Sequence, residues 1–562
     1  MERKWWKEAV GYQIYPRSFN DTNGDGIGDL RGIIEKLDYL EDLGIDLIWI
    51  CPFYKSPMDD NGYDVSDYYD IDPMFGSMDD CKELIEKAHN KGIRIIADLV
   101  LNHTSDEHPW FIEAKSSLDN KYRDFYIWKQ GKEVEGKEVE PTNWASFFGG
   151  SAWRKDENTD EYFMKIFSDK MPDLNWENSE LRNEMYKMAN WWLDLGIDGF
   201  RVDAVAHIAR DNTFTDSKLD LYNGYAPDWG KFSNLPDVHK FLKEFNKEVL
   251  SGKDVMTVGE VGGDATPLQA LDYVGENEDE FNMVFNFDHN HALDFRSGDT
   301  NKIDLDRLKV VFEKWQTGLY GKGWNAIYWL NHDQPRVLSH YGDTSEEYRV
   351  VSAKMLATAM YFMWGTPFLY NGEEIGMTNY PFTKLEEFTD VAIHNNYKYA
   401  KANGLSIEDY IASNANTSRD NSRTPFQWSD QDYAGFSTAE TWMKVNPNYK
   451  TINAASQIND PNSIFSYYKE VIKLRKDSKY KDLICYGNYK LELKKLDDIY
   501  TYSRDLDDQK LLVVTNFSSK TIEIDFDFEV KEIILSNYST VDLENNKLIL
   551  KAYEGIVFEI EK

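Results

Sequence analysis

Short apolar runs alternate with longer amphipathic segments along most of the chain. This alternation is typical of a parallel sheet wrapped by helices. Helical periodicity lies between most of the runs, for example at 30–43, 79–91, 179–195 and 347–362. An eight-fold β/α barrel is therefore the economical prediction for the fold. The eight predicted strands are Val10–Pro16, Ile45–Ile50, Ile93–Val100, Gly199–Val202, Val255–Val261, Met283–Phe287, Ala326–Leu330 and Pro367–Tyr370.

Two long interruptions and a change in the pattern of apolar residues divide the chain. The segment between the third and fourth runs is too long for a simple crossover, so an inserted domain is predicted at 104–173. It contains a tandem repeat, GKEVE-GKEVE at 131–140, which indicates a solvated hairpin or loop. The barrel is expected to span 1–103 and 174–480, with a loop-rich excursion at about 371–460 that covers its mouth. Short alternating strands such as 500–504, 510–516, 521–526 and 555–560 predict a C-terminal antiparallel β-sandwich domain at 481–562.

Charge and cysteine content narrow the classes of function. The chain of 562 residues has 63 Lys and Arg against 98 Asp and Glu, a formal net charge of −35. This acidity argues against nucleic acid and anionic lipid as partners. Three widely spaced cysteines favour neither a disulfide framework nor a thiolate zinc site. No signal-like or membrane-spanning apolar stretch is evident, so we expect a cytoplasmic protein without membrane contact, as a monomer or weak homo-oligomer.

Acidic residues stand at the carboxyl ends of three predicted strands, where barrel enzymes place their active sites. Asp203 ends the fourth strand, Glu260 the fifth, and Asp333 follows the seventh. Each acid alone has a structural alternative, because an acid after a strand often caps the next helix. Arg201 lies two residues before Asp203 and so on the same strand face. Together, the three acids and Arg201 predict one shared site.

Paired carboxylates in an aromatic-lined pocket suit glycoside hydrolysis. One acid must hold a proton for the leaving oxygen, while another must be ionised to attack or stabilise an oxocarbenium-like centre. An adjacent Arg favours the ionised form of a carboxylate. The abundant Trp and Tyr are suited to stack on the apolar faces of sugar rings. The expected partner is a small oligosaccharide.

Motifs along the chain resemble those of the α-amylase superfamily and, within it, the α-glucosidase and oligo-1,6-glucosidase branch. The resemblance implies a barrel, a domain inserted after the third strand and a C-terminal β-sandwich. Several independent motifs in the same order are more specific than any single one. The motifs are WWKEAVGYQIYPRSF at 5–19, DNGYD at 60–64, DLVLNH at 98–103, GFRVDAVAH at 199–207, GEVGG at 259–263, LNHDQPR at 330–336 and SRDNSRTPFQW at 418–428.

The resemblance implies catalytic roles for individual residues. Asp203 is the expected nucleophile that forms a β-glucosyl enzyme, and Glu260 the general acid that later activates water. Asp333 is expected to stabilise the transition state and to bind ring hydroxyls together with Arg419. Arg201 matches the arginine that orients the nucleophile. A short carboxylate separation and a retaining outcome are expected.

Substrate-binding roles follow from the same resemblance. His103 and His332 match ligands of sugar hydroxyls at the non-reducing-end subsite. Tyr63 matches a stacking platform, and Asp60 matches a carboxylate that grips the terminal glucose. Such a closed pocket implies exo action.

Oxygen-bearing side chains stand at the first, third, fifth and ninth positions of the segment DTNGDGIGD at 21–29, with Gly for the tight turn, which is typical of a calcium loop. Position 12 is Gly32 rather than Glu, so an EF-hand is excluded. The resemblance implies a structural Ca²⁺, for which Mg²⁺ can substitute; the alternative is an Asx-turn loop without metal. The expected ligands are Asp21, Asn23, Asp25, Asp29 and the carbonyl of Ile27.

The residue after the nucleophile bears on linkage. In this branch valine accompanies preference for α-1,6 bonds, and alanine or threonine preference for α-1,4 bonds; here it is Ala204. The stretch Met171–Asn175 also departs from the Gln-Pro-Asp-Leu-Asn typical of the oligo-1,6 group. We therefore predict an exo-acting α-1,4-glucosidase on maltose and short malto-oligosaccharides.

Phe148 and Phe167 are candidates for apolar walls of the pocket, and the alternative for both is a place in the core of the inserted domain.

Four alternatives stay open at this point. Oligo-1,6-glucosidase, trehalose-6-phosphate hydrolase and sucrose isomerase lie within the same family. A phosphosugar enzyme is expected to add basic residues at the mouth, and no Lys/Arg cluster in 371–428 clearly does so. A non-catalytic relative is expected to have lost an acid or gained a membrane segment, and this sequence retains all three acids.

Overall fold

In the computed structural model, residues 1–275, 279–291 and 303–562 are described. An eight-stranded parallel sheet forms the centre, in the spatial order β6-β5-β4-β3-β2-β1-β8-β7. A parallel bridge between Val284 and Asn325 brings β6 next to β7, so the sheet is a nearly closed barrel. The strands are β1 Gly11–Ile14, β2 Leu47–Ile50, β3 Arg94–Val100, β4 Gly199–Asp203, β5 Met256–Glu260, β6 Met283–Phe285, β7 Ala326–Ile327 and β8 Thr366–Tyr370.

All eight strands overlap the predicted apolar runs, which confirms the predicted barrel. Every residue of β1, β2, β4 and β8 is buried. Such strands face helices outside and a packed barrel interior inside, so their sequences are almost continuously apolar. The polar residues that interrupt these runs are therefore the informative ones.

Helices connect the strands around the outside of the barrel. Between strands they are Leu30–Glu35 and Leu37–Leu43, Met78–Asn90, Ser179–Leu195, Pro236–Phe245, Pro267–Val274, Leu305–Leu319, and Val337–Tyr341 with Arg349–Tyr361; Ile464–Asp477 and Lys481–Tyr486 follow β8. The helix predicted over 30–43 is two helices, because Lys36 leaves the helical conformation at φ −102° and ψ 6°. Ser179–Leu195 matches its prediction, capped by Asn178 and ended by Gly196 at φ 115°.

The segment between β3 and β4 contains a small antiparallel sheet of Trp128–Lys129, Glu161–Met164 and Trp153–Asp156. Its apolar core includes Trp144, Trp153 and Met164, with Phe232 from the segment after β4. The tandem repeat forms an antiparallel hairpin, in which Lys132–Val134 pairs with Lys137–Val139. The inserted segment is thus joined to the barrel through shared core.

The excursion after β8 contains two helices that the sequence reading did not predict, Val391–Ala402 and Ile407–Ala415. They share a separate apolar cluster that includes Phe382, Phe388 and Tyr410. The helix at 391–402 begins at Asp390, whose carboxylate accepts the Ala392 N–H at 2.9 Å. This helix start brings the excursion over the barrel mouth.

The C-terminal region is a two-sheet β structure. One antiparallel sheet comprises Asn488–Glu492, Ile499–Leu506, Gln509–Asn516, Gly555–Ile560 and Val530–Ser536, and the other comprises Ile522–Asp525, Lys547–Leu550 and Asp542–Glu544. Their facing sides bury an apolar core that includes Leu512, Ile524 and Phe558. The predicted C-terminal β domain is confirmed. In the described parts of the chain, none of the helices has the length and apolar character needed to span a bilayer.

Candidate active site

Arg201 lies at the centre of a buried carboxylate cluster. Its guanidinium donates to Asp203 Oδ1 at 2.7 Å and to Asp98 Oδ1 at 2.8 Å, and also contacts Glu260. The sheet produces this arrangement, since Arg201 on β4 is in register with Asp98 on β3, and Glu260 ends the adjacent β5. Three neighbouring strands therefore deliver three carboxylates to one cation.

Burial dominates the protonation of this cluster. Asp98 is fully buried, and burial raises its pKa to about 6, although Arg201 and, to a smaller extent, hydrogen bonds from Tyr63 and Trp49 oppose the rise. Burial likewise raises the pKa of Asp203, which Arg201 counteracts and the neighbouring carboxylates of Glu260 and Asp98 reinforce. One guanidinium cannot neutralise the buried carboxylates of Asp98 and Asp203 together with the partly buried one of Glu260, so the buried pair favours retention of a proton.

Asp333 has the opposite environment. Arg419 and Arg423 donate to its Oδ1 at 3.1 and 2.8 Å, and His332 Nε2 lies 3.1 Å from its Oδ2. Burial alone raises the pKa of Asp333, but His332, Arg419 and Arg423 outweigh it and hold that pKa below its ordinary value. Asp333 is therefore an anion at neutral pH. The cluster thus combines one firmly ionised acid with acids that retain protons more easily.

Arg419 joins the excursion to the barrel. One of its Nη atoms lies 2.9 Å from both Asp60 and Asp390, while the other bonds Asp333. Burial of such a group is tolerated because three carboxylates surround it. Asp60, Asp333 and Asp390 come from three distant parts of the sequence, so Arg419 fixes one wall of the site.

These groups line a cavity of about 350 Å³ at the carboxyl ends of the strands. Ten of the site residues proposed from sequence line it: Asp60, Tyr63, His103, Phe148, Phe167, Asp203, Ala204, Glu260, Asp333 and Arg419. Arg201 and His332 lie beneath the lining. The His332 ring stacks on Tyr63 with centroids 5.1 Å apart and planes 7° apart. His103 Nε2 lies 3.2 Å from the Tyr63 carbonyl, and burial lowers the pKa of His103 to about 3, so its ring is neutral.

The cavity also contains residues that the sequence reading did not assign to the site. Phe147, Asp390 and Ala392 line it, together with Met171. Arg423 lies behind it, fully buried against Asp333. Arg423 belongs to the SRDNSRTPFQW stretch, which is the only sequence signal that marked it, and Asp390 lies outside all the motifs named above. Their identification depends on tertiary structure.

Ala204 has an unusual backbone conformation, with φ 46° and ψ 29°. This left-handed region is disfavoured for residues with a Cβ, and it occurs directly after Asp203. The turn ends β4 sharply and leaves the small Ala204 side chain on the cavity wall. A larger side chain here would occupy cavity space next to Asp203.

The loop at 21–29 lies outside this cavity. Asp21 accepts N–H bonds from Asn23, Gly24 and Gly26, and Asp29 accepts from Thr22 and Gly32. Among the described residues, no group of three or more His, Cys, Asp or Glu side chains forms a metal centre. The oxygen donors suit a hard cation chemically, whereas their hydrogen bonds are those of Asx turns. The calcium site stays a prediction.

Comparison with known proteins agrees with this geometry. A family model described as the α-amylase catalytic domain matches residues 13–484, and one for the α-amylase SusG C-terminal domain matches 499–557. The oligo-1,6-glucosidase of Parageobacillus thermoglucosidasius is 50% identical over 571 residues, with 100% of both chains covered. That of Bacillus cereus is 48% identical, again over 100% of both chains.

Solved structures superpose on the whole chain. Trehalose-6-phosphate hydrolase of Bacillus licheniformis has a TM-score of 0.91 and 44% identity, with 100% of both chains covered. A mutant isomaltulose synthase of Erwinia rhapontici NX5, in complex with its natural substrate sucrose, has a TM-score of 0.94 and 40% identity over 100% of both chains. The resemblance found in the sequence motifs is confirmed. The chain belongs to the α-amylase superfamily of glycoside hydrolases, in its α-glucosidase and oligo-1,6-glucosidase branch.

Proposed function

We propose that the protein is a retaining, exo-acting α-glucosidase whose main activity is that of an oligo-1,6-glucosidase. Its substrates would be isomaltose and short isomalto-oligosaccharides, cleaved at the terminal glucose. The observation that carries the proposal is the single guanidinium of Arg201 that binds both Asp203 and Glu260 at the base of the cavity. The solved isomaltulose synthase mutant in complex with sucrose supports a small neutral sugar as the ligand.

The proposed reaction has two steps. Asp203 attacks the anomeric carbon as a carboxylate, and Glu260 gives its proton to the glycosidic oxygen as that bond breaks. The β-glucosyl ester on Asp203 is then hydrolysed by a water that Glu260, now ionised, deprotonates. Asp333 remains an anion throughout and stabilises positive charge at the ring. The ion pairs of Asp333 with Arg419 and Arg423 support its role as the anion, and the bond from Arg201 to Asp203 supports the ionised form that attack requires.

Exo action is supported by the wall around Arg419. The ion pairs of Arg419 with Asp60 and Asp390 lie next to Asp333 and bound the cavity on one side. A glucose seated there offers its hydroxyls to both carboxylates and the guanidinium, which suits a chain end better than an internal unit. His103 and Tyr63 supply a neutral ring and an aromatic face beside it.

The choice of α-1,6 over α-1,4 linkage rests on the relatives. Two full-length relatives at 50% and 48% identity are named oligo-1,6-glucosidase. The comparisons do not confirm the α-1,4 preference predicted from Ala204. Maltose hydrolysis is the second candidate activity, because Ala204 lines the cavity and leaves space that a valine would fill.

Phosphosugar hydrolysis is less well supported. Among the described lining residues, Arg419 is the one cation, and three carboxylates already surround it. A phosphate needs unpaired Lys or Arg donors. The site favours an uncharged substrate.

Initial rates on isomaltose, maltose, sucrose and trehalose-6-phosphate test the proposal. We expect isomaltose to have the highest kcat/KM and trehalose-6-phosphate the lowest. Maltose ahead of isomaltose would replace the main proposal with the second candidate, and preference for trehalose-6-phosphate would overturn both. The Asp203→Asn variant serves as the background control for every substrate.

We also propose that the loop at 21–29 holds a structural Ca²⁺, with Mg²⁺ as a substitute. The support is its donor set of Asp21, Asn23, Asp25, Asp29 and the Ile27 carbonyl, all oxygen atoms, as hard cations require. The loop is tied to the excursion, since Ser437 donates to Asp21 at 2.6 Å and Trp442 N–H to the Gly26 carbonyl at 3.0 Å. A cation there would add to the stability of this junction and take no part in catalysis.

A further inference from the structure

A second and larger cleft lies away from the carboxylate cluster. Its volume is about 550 Å³, against about 350 Å³ for the catalytic cavity. One wall is the inserted domain, including Trp128 and Lys129, and the other is the segment after β4, including Asn212 and Phe214. The reaction proposed above uses none of these residues. A polar cleft of this size is large enough for an oligosaccharide of a few units.

The charges of the cleft balance. Among the described residues its lining contains three basic side chains, Arg123, Lys129 and Arg210, and three acidic ones, Asp124, Glu161 and Glu177. The chain as a whole has a net charge of −35, so local neutrality distinguishes this surface. Donors and acceptors interleaved without net charge suit a neutral ligand that both donates and accepts hydrogen bonds, as sugar hydroxyls do.

The cleft also offers an aromatic face. The Phe214 ring stacks on Trp144 with centroids 5.8 Å apart, and the ammonium group of Lys129 lies 4.4 Å from the Phe214 centroid. Lys129 is exposed, so its side chain can move aside for a sugar ring. Phe214 has φ 46°, a conformation that is costly for an aromatic residue and is found where surrounding structure enforces it. The ring is thus held in place at the cleft.

Arg210 separates the cleft from the catalytic cavity. Its guanidinium bonds Asp173 at 2.8 Å and Asn102 at 2.9 Å, and Asn102 lies 3.2 Å from the His103 ring. Arg210 is only 6% exposed, and its Nε has no hydrogen-bond partner within the described residues. An unsatisfied buried donor in a cleft wall marks a place where a polar ligand or an ordered water is accommodated.

We propose that this cleft is a second carbohydrate-binding site, which takes a neutral oligosaccharide between the inserted domain and the barrel. Phe214 provides the stacking face, and Asn212, Asn175 and the surrounding charges provide hydrogen bonds. The choice of α-glucosides as probes rests on the proposed function, whereas the assignment of the cleft as a carbohydrate-binding site does not. An oligosaccharide bound in the cleft would stay near the catalytic cavity between successive rounds of cleavage.

Isothermal titration of the Asp203→Asn protein with isomaltotriose and with maltotriose tests the proposal. We expect two binding sites for at least one of the two sugars. A second substitution, Arg419→Ala, in the Asp203→Asn protein should abolish binding at the catalytic site and leave binding in the cleft intact. Adding Asn212→Arg, an exposed position, should weaken the second site by about tenfold or more and leave the first unchanged. Phe214→Ser should have the same effect as Asn212→Arg, and Tyr222→Ala, an exposed aromatic outside the cleft, should have none.

The outcomes separate the two proposals. A single site that Arg419→Ala abolishes would overturn the second site and leave the catalytic assignment intact. A second site that survives both Asn212→Arg and Phe214→Ser would also overturn the proposal. In the otherwise unmodified enzyme, both substitutions should leave kcat on isomaltose unchanged, because neither residue lies in the catalytic cavity. If Phe214→Ser disturbs folding, Asn212→Arg still decides the question.

Discussion

The guanidinium of Arg201 lies 2.7 Å from the carboxylate of Asp203, two residues later on the same strand. The period of two along a strand places both side chains on the inner face of the barrel, and Arg201 also reaches Glu260 on the adjacent strand. One cation therefore positions the proposed nucleophile and the proposed acid together. Their relative geometry is set by backbone register and depends little on loops.

The pH dependence follows from the burial of Asp203. Its pKa is raised by burial, and attack requires the ionised form, so activity rises as pH increases through that raised pKa. We expect the acidic limb of kcat/KM to lie above about 3.9, the ordinary value for Asp. In Arg201→Lys, a point charge replaces the bidentate group, so the limb should move to higher pH and kcat/KM should fall. A limb at or below the ordinary value would contradict this account.

Arg419→Lys should lower kcat/KM on isomaltose by about 100-fold, equivalent to about 2.7 kcal/mol. Arg419 reaches Asp60 and Asp390 from one Nη atom and Asp333 from the other, and a single ammonium nitrogen cannot occupy both positions. The wall of the cavity should therefore be disrupted, and the ion pairing of Asp333 weakened. Arg154→Lys, at an exposed position on a strand of the inserted domain, is the matched control and should have no effect. Unchanged efficiency in Arg419→Lys would show that the wall does not hold the terminal glucose.

Ala204→Val should raise the ratio of isomaltose to maltose hydrolysis by up to about tenfold. The added methyl groups fill space beside the reacting bond and discriminate between differently angled leaving sugars. The β-branched side chain also disfavours the left-handed conformation at this position, so the melting temperature should fall. Ala204→Gly keeps the space open and should leave the ratio unchanged. An unaltered ratio in Ala204→Val would remove this residue from the explanation of linkage preference.

Millimolar Ca²⁺ should raise the melting temperature by about 2–5 °C relative to EDTA, through binding to the folded state. Asp21→Asn should abolish that difference, whereas Asp119→Asn, an exposed acid elsewhere, should preserve it. Differential scanning calorimetry provides the measurement. Equal melting temperatures in Ca²⁺ and EDTA would favour the Asx-turn alternative.

The barrel could be predicted from sequence because its strands are buried on both faces. β8, for example, is a short apolar run, and in the short buried run of β4 the charged residues Arg201 and Asp203 stand out. The helix predicted over 30–43 was less accurate. Its break at Lys36 depends on local backbone conformation, which apolar periodicity does not report.

The remainder of the site could not be predicted from pattern alone. Asp390 and Ala392 come from the start of the helix Val391–Ala402, which has no strong apolar period. They reach the cavity because Asp390 both caps this helix and binds Arg419. Arg423 is fully buried, which is costly for a charge unless a carboxylate such as Asp333 compensates it. Such pairs join residues about 90 positions apart, beyond the reach of local signals.

The most direct test of the central claim is to trap the covalent intermediate. A ring-fluorinated glucosyl fluoride slows hydrolysis of the glucosyl enzyme, so the adduct accumulates and its peptide is identified by mass spectrometry. We predict one fluoroglucosyl group on the peptide that contains Asp203, absent from the Asp203→Asn protein. An adduct on any other residue, or turnover without an adduct and with inversion at the anomeric carbon, would contradict the account.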